Sequence, residues 1–73
     1  MDNVSSRIIL LRKTHDLTQK QLAENISVTE IAVQNYESGR RKPAFDILIS
    51  LADYFNVSID YLVGRTDNPD VNK

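Results

Sequence analysis

The chain has 73 residues, no cysteine, 41% hydrophobic residues and a formal net charge of −1 at pH 7. A chain of this length forms one small domain with little room for an enzymatic cleft, and without cysteine it has no disulfide, thiolate metal site or cysteine nucleophile. The near-neutral charge argues against a general polyanion binder, and no apolar run approaches the ~18 residues of a membrane span.

Helix 1 is predicted over about Val4–His15, because Ile8 and Leu11 repeat at helical spacing on one face. Asn3 and Ser5 are alternative N-caps for this helix, since both side chains can accept a hydrogen bond from a backbone N–H of the first turn.

Helix 2 is predicted to start at Thr18, which has Gln21 three residues later in the spacing of a capping box. The helix is predicted to span about two turns and to stop at Ser27 and Val28. Its inner face contains Leu22, Ala23 and Ile26.

Helix 3 follows almost at once, and two residues compete as its N-cap. Ser27 has Glu30 three residues later, which is the spacing of a capping box. Thr29 has Val28 directly before it and Val33 four residues after it, which is the spacing of a hydrophobic staple. We favour Thr29, because that start turns the apolar residues of the helix inwards. It places Val33 and Tyr36 inside and Gln34 outside.

Gly39 is predicted to end helix 3 in a left-handed conformation, and residues 40–43 (Arg-Arg-Lys-Pro) form a loop. Asp46 lies in the first turn of helix 4, where a negative charge suits the helix dipole. Ser58 caps a short helix 5 that runs to about Val63. The core stripe of helix 4 contains Leu48, Leu51, Ala52 and Phe55.

Few helix breakers and short connections therefore predict an all-α fold of five helices. We expect residues 1–66 to form the domain and residues 67–73 to form a flexible C-terminal tail. Charge divides between the halves: residues 1–42 contain seven basic and five acidic residues, and residues 43–73 contain two basic and five acidic residues. Such a chain can present one basic side to nucleic acid.

Several segments carry a resemblance to a known family. They are Leu-Thr-Gln-Lys-Gln-Leu-Ala at 17–23, Val-Thr at 28–29, Tyr-Glu-Ser-Gly-Arg-Arg-Lys-Pro at 36–43, Leu-Ala at 51–52 and Val-Ser-Ile-Asp-Tyr-Leu at 57–62. In this order and spacing the chain resembles phage repressors, Cro proteins and bacterial Xre-type regulators over residues 7–64. The resemblance implies a compact lambda-repressor-like fold in which helices 2 and 3 form a DNA-reading helix-turn-helix. Two positions depart from the family pattern: Ser27 replaces a usual glycine, and Ala44 replaces a usual serine cap.

A recognition helix that enters the major groove needs short polar side chains near its start. The residues of helix 3 predicted to read bases are Thr29, Glu30, Ile31, Gln34 and Asn35. Two alternatives remain open. Ile31 either points outwards to a thymine methyl group or is half-buried against helix 2, and Glu30 either contacts cytosine or only stabilises the helix dipole.

Phosphate contacts are predicted on both sides of the recognition helix. Gln19 and Lys20 open helix 2, and the cations of Arg40, Arg41 and Lys42 follow helix 3 at the groove wall. These five residues are our candidates for the DNA backbone.

The resemblance also implies two structural roles. Arg12 and Glu37 occupy positions that form a partly buried ion pair in the family. The family commonly forms dimers through its last helices, which points to Ile59, Tyr61 and Leu62 as interface residues.

Catalysis is not expected, because His15 is the only histidine, no glycine-rich phosphate loop is present and metal ligands do not cluster.

We predict a sequence-specific regulator of transcription that binds a pseudo-palindromic double-stranded operator as a homodimer and represses a phage, mobile-element or bacterial operon. It needs no cofactor, metal, membrane or small-molecule substrate and works on cytoplasmic DNA. The alternative is a protein-interaction module, related to antitoxins or anti-repressors, built on a degenerate helix-turn-helix.

Overall fold

The structure is a computed structural model that describes residues 3–70. These residues form five helices and no strand, as predicted. The helices are α1 (Val4–Thr14), α2 (Gln19–Asn25), α3 (Glu30–Ser38), α4 (Phe45–Phe55) and α5 (Ile59–Leu62). Within the described range, every helix is too short or too polar to cross a membrane.

The first two helices begin with reciprocal capping hydrogen bonds. Asn3 is the cap of α1: its side-chain oxygen accepts from the N–H of Ser6 at 3.0 Å, and the Ser6 hydroxyl accepts from the N–H of Asn3 at 3.0 Å. In α2 the same exchange joins Thr18 and Gln21 at 3.0 and 2.9 Å, which confirms the predicted capping box. Each pair satisfies two backbone donors that a helix start leaves open.

The boundaries of α3 and α4 contain residues that stabilise a helix end or a turn and residues that do not. Thr29 caps α3 by accepting from the N–H of Ala32 at 3.1 Å, so it prevails over Ser27 as the cap. Gly39 ends α3 at a φ of +82°, the left-handed conformation predicted for it. Ala44 supplies no side-chain cap to α4, and Ser27 itself has a φ of +62° in the turn before α3.

Replacing Ser27 with glycine should raise the free energy of unfolding by about 0.5–1 kcal/mol. A left-handed conformation costs an L-residue roughly 1–2 kcal/mol, which exceeds the 0.5–1 kcal/mol that glycine adds through the entropy of the unfolded chain. Urea unfolding measures the change. Ser50→Gly, inside α4, is the matched control and should lower stability, since glycine has a poor helix propensity. Equal destabilisation by both substitutions would contradict the assignment of strain to Ser27.

The core is built from one almost inaccessible aliphatic side chain in each helix. These side chains are Ile8 in α1, Leu22 in α2, Val33 in α3, Leu51 in α4 and Leu62 in α5, each 0 or 1% exposed. All five helices therefore meet at a common centre, and even the single turn of α5 belongs to the core.

Arg7 is a buried cation that sequence reasoning did not single out. Its side chain lies on α1, the residue is only 2% exposed, and its guanidinium lies 4.0 Å from the centre of the Tyr61 ring. It donates to the carbonyl oxygens of Tyr61 and Thr66, each at 3.2 Å, and to the Asp67 carboxylate at 2.9 Å. Burial of this charge is offset by hydrogen bonds and the ring contact, which tie the start of α1 to the end of the domain.

The segment after α5 also contacts the start of that helix. The N–H of Ser58, the N-cap of α5, donates to the carbonyl of Pro69 at 3.0 Å. The chain thus turns back along α5 after leaving it. Flexibility of residues 67–73 stays a prediction, and residues 71–73 lie outside the described part of the chain.

Candidate nucleic-acid interface

A short turn of residues 26–29 joins α2 to α3. After Ile26 ends α2, the left-handed Ser27 reverses the chain, and the N–H of Val28 donates to the carbonyl of Ala23 at 2.9 Å. Thr29 then caps α3. The turn therefore fixes where α3 starts relative to α2.

The two sides of α3 differ sharply in exposure. Val33 and Tyr36 are buried, at 0 and 7% exposed, whereas Ile31 is 67% exposed and Gln34 is exposed. The outward position of Ile31 excludes the half-buried alternative left open by the sequence, and contact with a thymine methyl group stays a prediction. An exposed isoleucine between polar side chains gives this helix an apolar contact point.

The structure brings the predicted base-reading residues together on the start and outer side of α3. Thr29 is the N-cap, Glu30, Ile31 and Gln34 are exposed, and Asn35 is half-buried. Because the Thr29 hydroxyl oxygen already accepts a backbone N–H, its own hydrogen remains available to a base or phosphate acceptor.

A hydrogen-bond network holds α3 against α1 and α2. Arg12 donates from Nε to Glu37 Oε2 at 2.6 Å and from Nη2 to Glu37 Oε1 at 3.1 Å. The side chains are only 14 and 7% exposed, so this is the ion pair that the family resemblance implies. Arg12 Nη1 also donates to the carbonyl of Leu17 at 2.9 Å, and Gln19 Nε2 donates to Glu37 Oε1 at 3.0 Å. The Glu37 carboxylate of α3 thus joins α1, α2 and α3.

Gln19 has a structural partner that the sequence did not reveal. Its amide nitrogen is engaged by Glu37, so only its second amide hydrogen and its backbone N–H can address a phosphate. Lys20, the next residue, is exposed on α2. Of these two candidates for contact with the DNA backbone, Lys20 has the exposed side chain, whereas that of Gln19 is bonded to Glu37.

The three basic residues after α3 form an exposed loop attached to the end of that helix. Arg40, Arg41 and Lys42 are all exposed, the N–H of Arg41 donates to the carbonyl of Asn35 at 3.3 Å, and Pro43 is buried. The loop is therefore anchored at both ends while its cations face solvent. The loop leads directly into α4, whose N-cap Ala44 makes no side-chain hydrogen bond and whose first turn carries Asp46.

The predicted dimer residues have different environments. Leu62 is 0% exposed, so its prediction as an interface residue is wrong: its side chain fills the core. Ile59 and Tyr61 are half-buried, and Tyr61 carries the guanidinium of Arg7 on its ring. Of the three predicted residues, only Ile59 and Tyr61 retain surface that a second copy can contact.

His15 has packing contacts at the end of α1. Its Nδ1 is hydrogen-bonded to the carbonyl of Leu11 at 2.8 Å, and its ring meets the Phe55 ring edge-on at a centroid distance of 4.9 Å. In the part of the chain that the structure describes, no three acidic or histidine side chains are grouped to hold a metal ion.

Comparison with known proteins places the chain in a family. A family model described as helix-turn-helix matches residues 8–62. The chain is 45% identical over 64 residues to the uncharacterised transcriptional regulator YobD of Bacillus subtilis. The aligned region covers 88% of this chain and 57% of YobD. It is 36% identical to the cryptic phage CTXphi transcriptional repressor RstR of Vibrio cholerae, over 85% of this chain and 55% of RstR. The chain thus spans about half the length of these curated relatives.

A solved structure supports the fold. The P22 c2 repressor in complex with a synthetic operator superposes with a TM-score of 0.84 over 90% of this chain and 100% of that one, at 24% identity. This likeness confirms the predicted phage-repressor-like arrangement of five helices. With the family model covering most of the chain and YobD at 45% identity, the chain belongs to the HTH_3 helix-turn-helix family.

Proposed function

We propose that this chain is the DNA-binding part of a transcriptional regulator, and that it acts as a dimeric repressor on a pseudo-palindromic operator in the bacterial cytoplasm. The observation that carries the proposal is the outer side of α3, which presents polar side chains and the 67% exposed Ile31 and which is followed by an exposed basic loop. Regulators and repressors of transcription among the relatives support the same function.

Each side chain on this surface matches a different feature of the major groove. Gln34 and Asn35 can form paired hydrogen bonds with adenine, and Glu30 can accept from the amino group of cytosine. Thr29 can donate its hydroxyl hydrogen, and Ile31 can contact the methyl group of thymine. The ion pair beneath α3 stabilises the angle at which these groups reach the bases.

Selection of binding sites from random DNA duplexes tests this function directly. Wild type should enrich two mirrored half-sites with centres about 10 base pairs apart. Asn35→Ala, selected in parallel, should lose roughly 1–3 kcal/mol on the preferred site and relax one base pair in each half-site. Failure of the wild type to enrich any motif would overturn the proposed function, whereas an unchanged motif in the variant would remove only Asn35 from the reading surface.

Phosphate contact predicts a strong dependence of affinity on salt. If each subunit of a dimer uses Lys20, Arg40, Arg41 and Lys42, about eight contacts form and the log–log slope of affinity against salt should be roughly −7. Arg41→Ala should weaken binding to all sequences alike and make the slope shallower. Arg65→Ala removes an equal charge from an exposed site outside the proposed interface and should change neither quantity. A slope near zero for the wild type would refute the phosphate assignment.

Replacing one thymine with deoxyuridine tests the role of Ile31, because only the C5 methyl group is lost. At the base pair that Ile31 contacts, the replacement should weaken wild-type binding by about 0.8 kcal/mol, or roughly fourfold. Ile31→Ala should bind the two duplexes almost equally. Titration of each protein with both duplexes gives the comparison. If no thymine position shows this difference, Ile31 does not read a methyl group.

The proposed dimer places Ile59 and Tyr61 of α5 against a second copy. Two copies related by a twofold axis would present two recognition helices to successive major grooves, as the mirrored half-sites require. Sedimentation at increasing concentration, with and without operator, measures this association.

A further inference from the structure

A groove between α4 and α5 lies outside the proposed DNA interface. Its lining comprises four apolar residues, here called the floor (Ile49, Ala52, Val57 and Ile59), and three polar ones, Asp53, Ser58 and Asp60. The groove has a volume of about 350 Å³. Ala52 and Val57 are buried, whereas Ile49 is 38% exposed, so the floor is firmly packed and still open to a partner.

The carboxylates around this groove are uncompensated. From residue 44 to residue 60 the sequence contains Asp46, Asp53 and Asp60 and no lysine, arginine or histidine. Among residues 3–70, neither Asp53 nor Asp60 forms an ion pair. The groove therefore combines an apolar floor with two carboxylates that form no ion pair among the described residues.

This charge decides between the possible occupants. DNA phosphates would be repelled by the carboxylates. The proposed dimer contact at Ile59 and Tyr61 could extend over the rest of the groove only by bringing Asp53 and Asp60 against like charges. An apolar segment flanked by lysine or arginine meets both features of the groove, since its cations pair with the carboxylates and its apolar side chains cover the floor.

We propose that the α4–α5 groove binds an amphipathic helix of a partner protein in which lysines or arginines flank the apolar side. Apolar side chains at i and i+4 of such a helix lie on one side and enter a groove of this kind as paired anchors. Ile59 also belongs to the proposed dimer surface, so the bound helix and a second copy compete for it.

Peptide selection on the full chain tests this proposal. Random peptides of about 14 residues, roughly four helical turns, are selected on wild type and counter-selected on the groove variant Asp53→Asn with Asp60→Asn. We expect the enriched peptides to carry apolar residues at i, i+4 spacing and flanking cations. Affinity, measured by fluorescence titration of a synthetic enriched peptide, should fall about tenfold in the groove variant and also in Ile49→Gln, while binding of wild-type and variant proteins to DNA stays equal.

A matched control separates groove binding from general attraction of cationic peptides. Asp16→Asn with Glu24→Gln removes the same charge from exposed sites that do not line the groove and should retain wild-type affinity for the peptide. Equal weakening by the control and groove variants would overturn the proposal, as would enrichment of acidic peptides. Failure to enrich any peptide, together with a change in the monomer–dimer equilibrium caused by Ile49→Gln, would instead assign the groove to a second copy.

Discussion

Replacing Arg12 with methionine should lower the free energy of unfolding by about 3–5 kcal/mol. The substitution removes both hydrogen bonds to the Glu37 carboxylate, whose side chain is 7% exposed, and also the bond to the carbonyl of Leu17. Gln19 remains as a partner of the carboxylate but carries no charge to balance it. The loss is large because a buried charge without its counterion is costly. Urea unfolding monitored by circular dichroism measures it.

Two further variants make the Arg12 result specific. Lys13→Met removes a charge from the next, exposed position of α1 and should change stability by no more than about 0.5 kcal/mol. Replacing Arg12 and Glu37 together with methionine should recover much of the loss, because an apolar pair leaves no unbalanced charge. If Arg12→Met costs no more than Lys13→Met, the ion pair does not stabilise the domain.

Leu51→Ala should destabilise the domain by roughly 2–5 kcal/mol. Leu51 is 0% exposed within the hydrophobic core cluster, so truncation leaves a cavity in the core. A chain of this length has a total stability of about 4–11 kcal/mol. The variant should therefore lose a large part of its stability, and its thermal midpoint should fall well below that of the wild type.

Ile49→Ala provides the comparison within the same helix. Ile49 is 38% exposed, so its truncation removes fewer buried contacts and should cost much less than that of Leu51. Leu51→Met, which nearly conserves volume, should cost less than about 1.5 kcal/mol. A thermal midpoint of Leu51→Ala close to that of the wild type would contradict the placement of Leu51 in the core.

Sequence reasoning predicted the helix starts well, because caps depend on residues only three apart. Thr18 and Gln21 form the expected capping box, and Thr29 caps α3 as the apolar pattern of that helix required. The ion pair of Arg12 and Glu37 was implied by family resemblance alone, since 25 residues separate its partners.

Other features could not be predicted because their partners are distant along the chain or their elements are short. Arg7 lies on an amphipathic helix, where a basic residue indicates solvent, yet its acceptors lie 54 to 60 residues away. Leu62 belongs to a helix of four residues, which is too short for a periodic pattern to reveal its buried side. Apolar residues on both sides of α3 left Ile31 undecided until its exposure was known.

The contacts of the segment after α5 also determine how far an attached label or domain can extend. Six extended residues, such as 65–70, would span about 20 Å. Here Arg7 binds Thr66 and Asp67, and Ser58 binds Pro69, so the segment doubles back and adds almost no reach. On the proposed half-sites, about 34 Å apart, two fluorophores attached at residue 70 would each stay close to their own domain. Bringing them together would need a spacer of about ten extended residues for every 34 Å to be bridged.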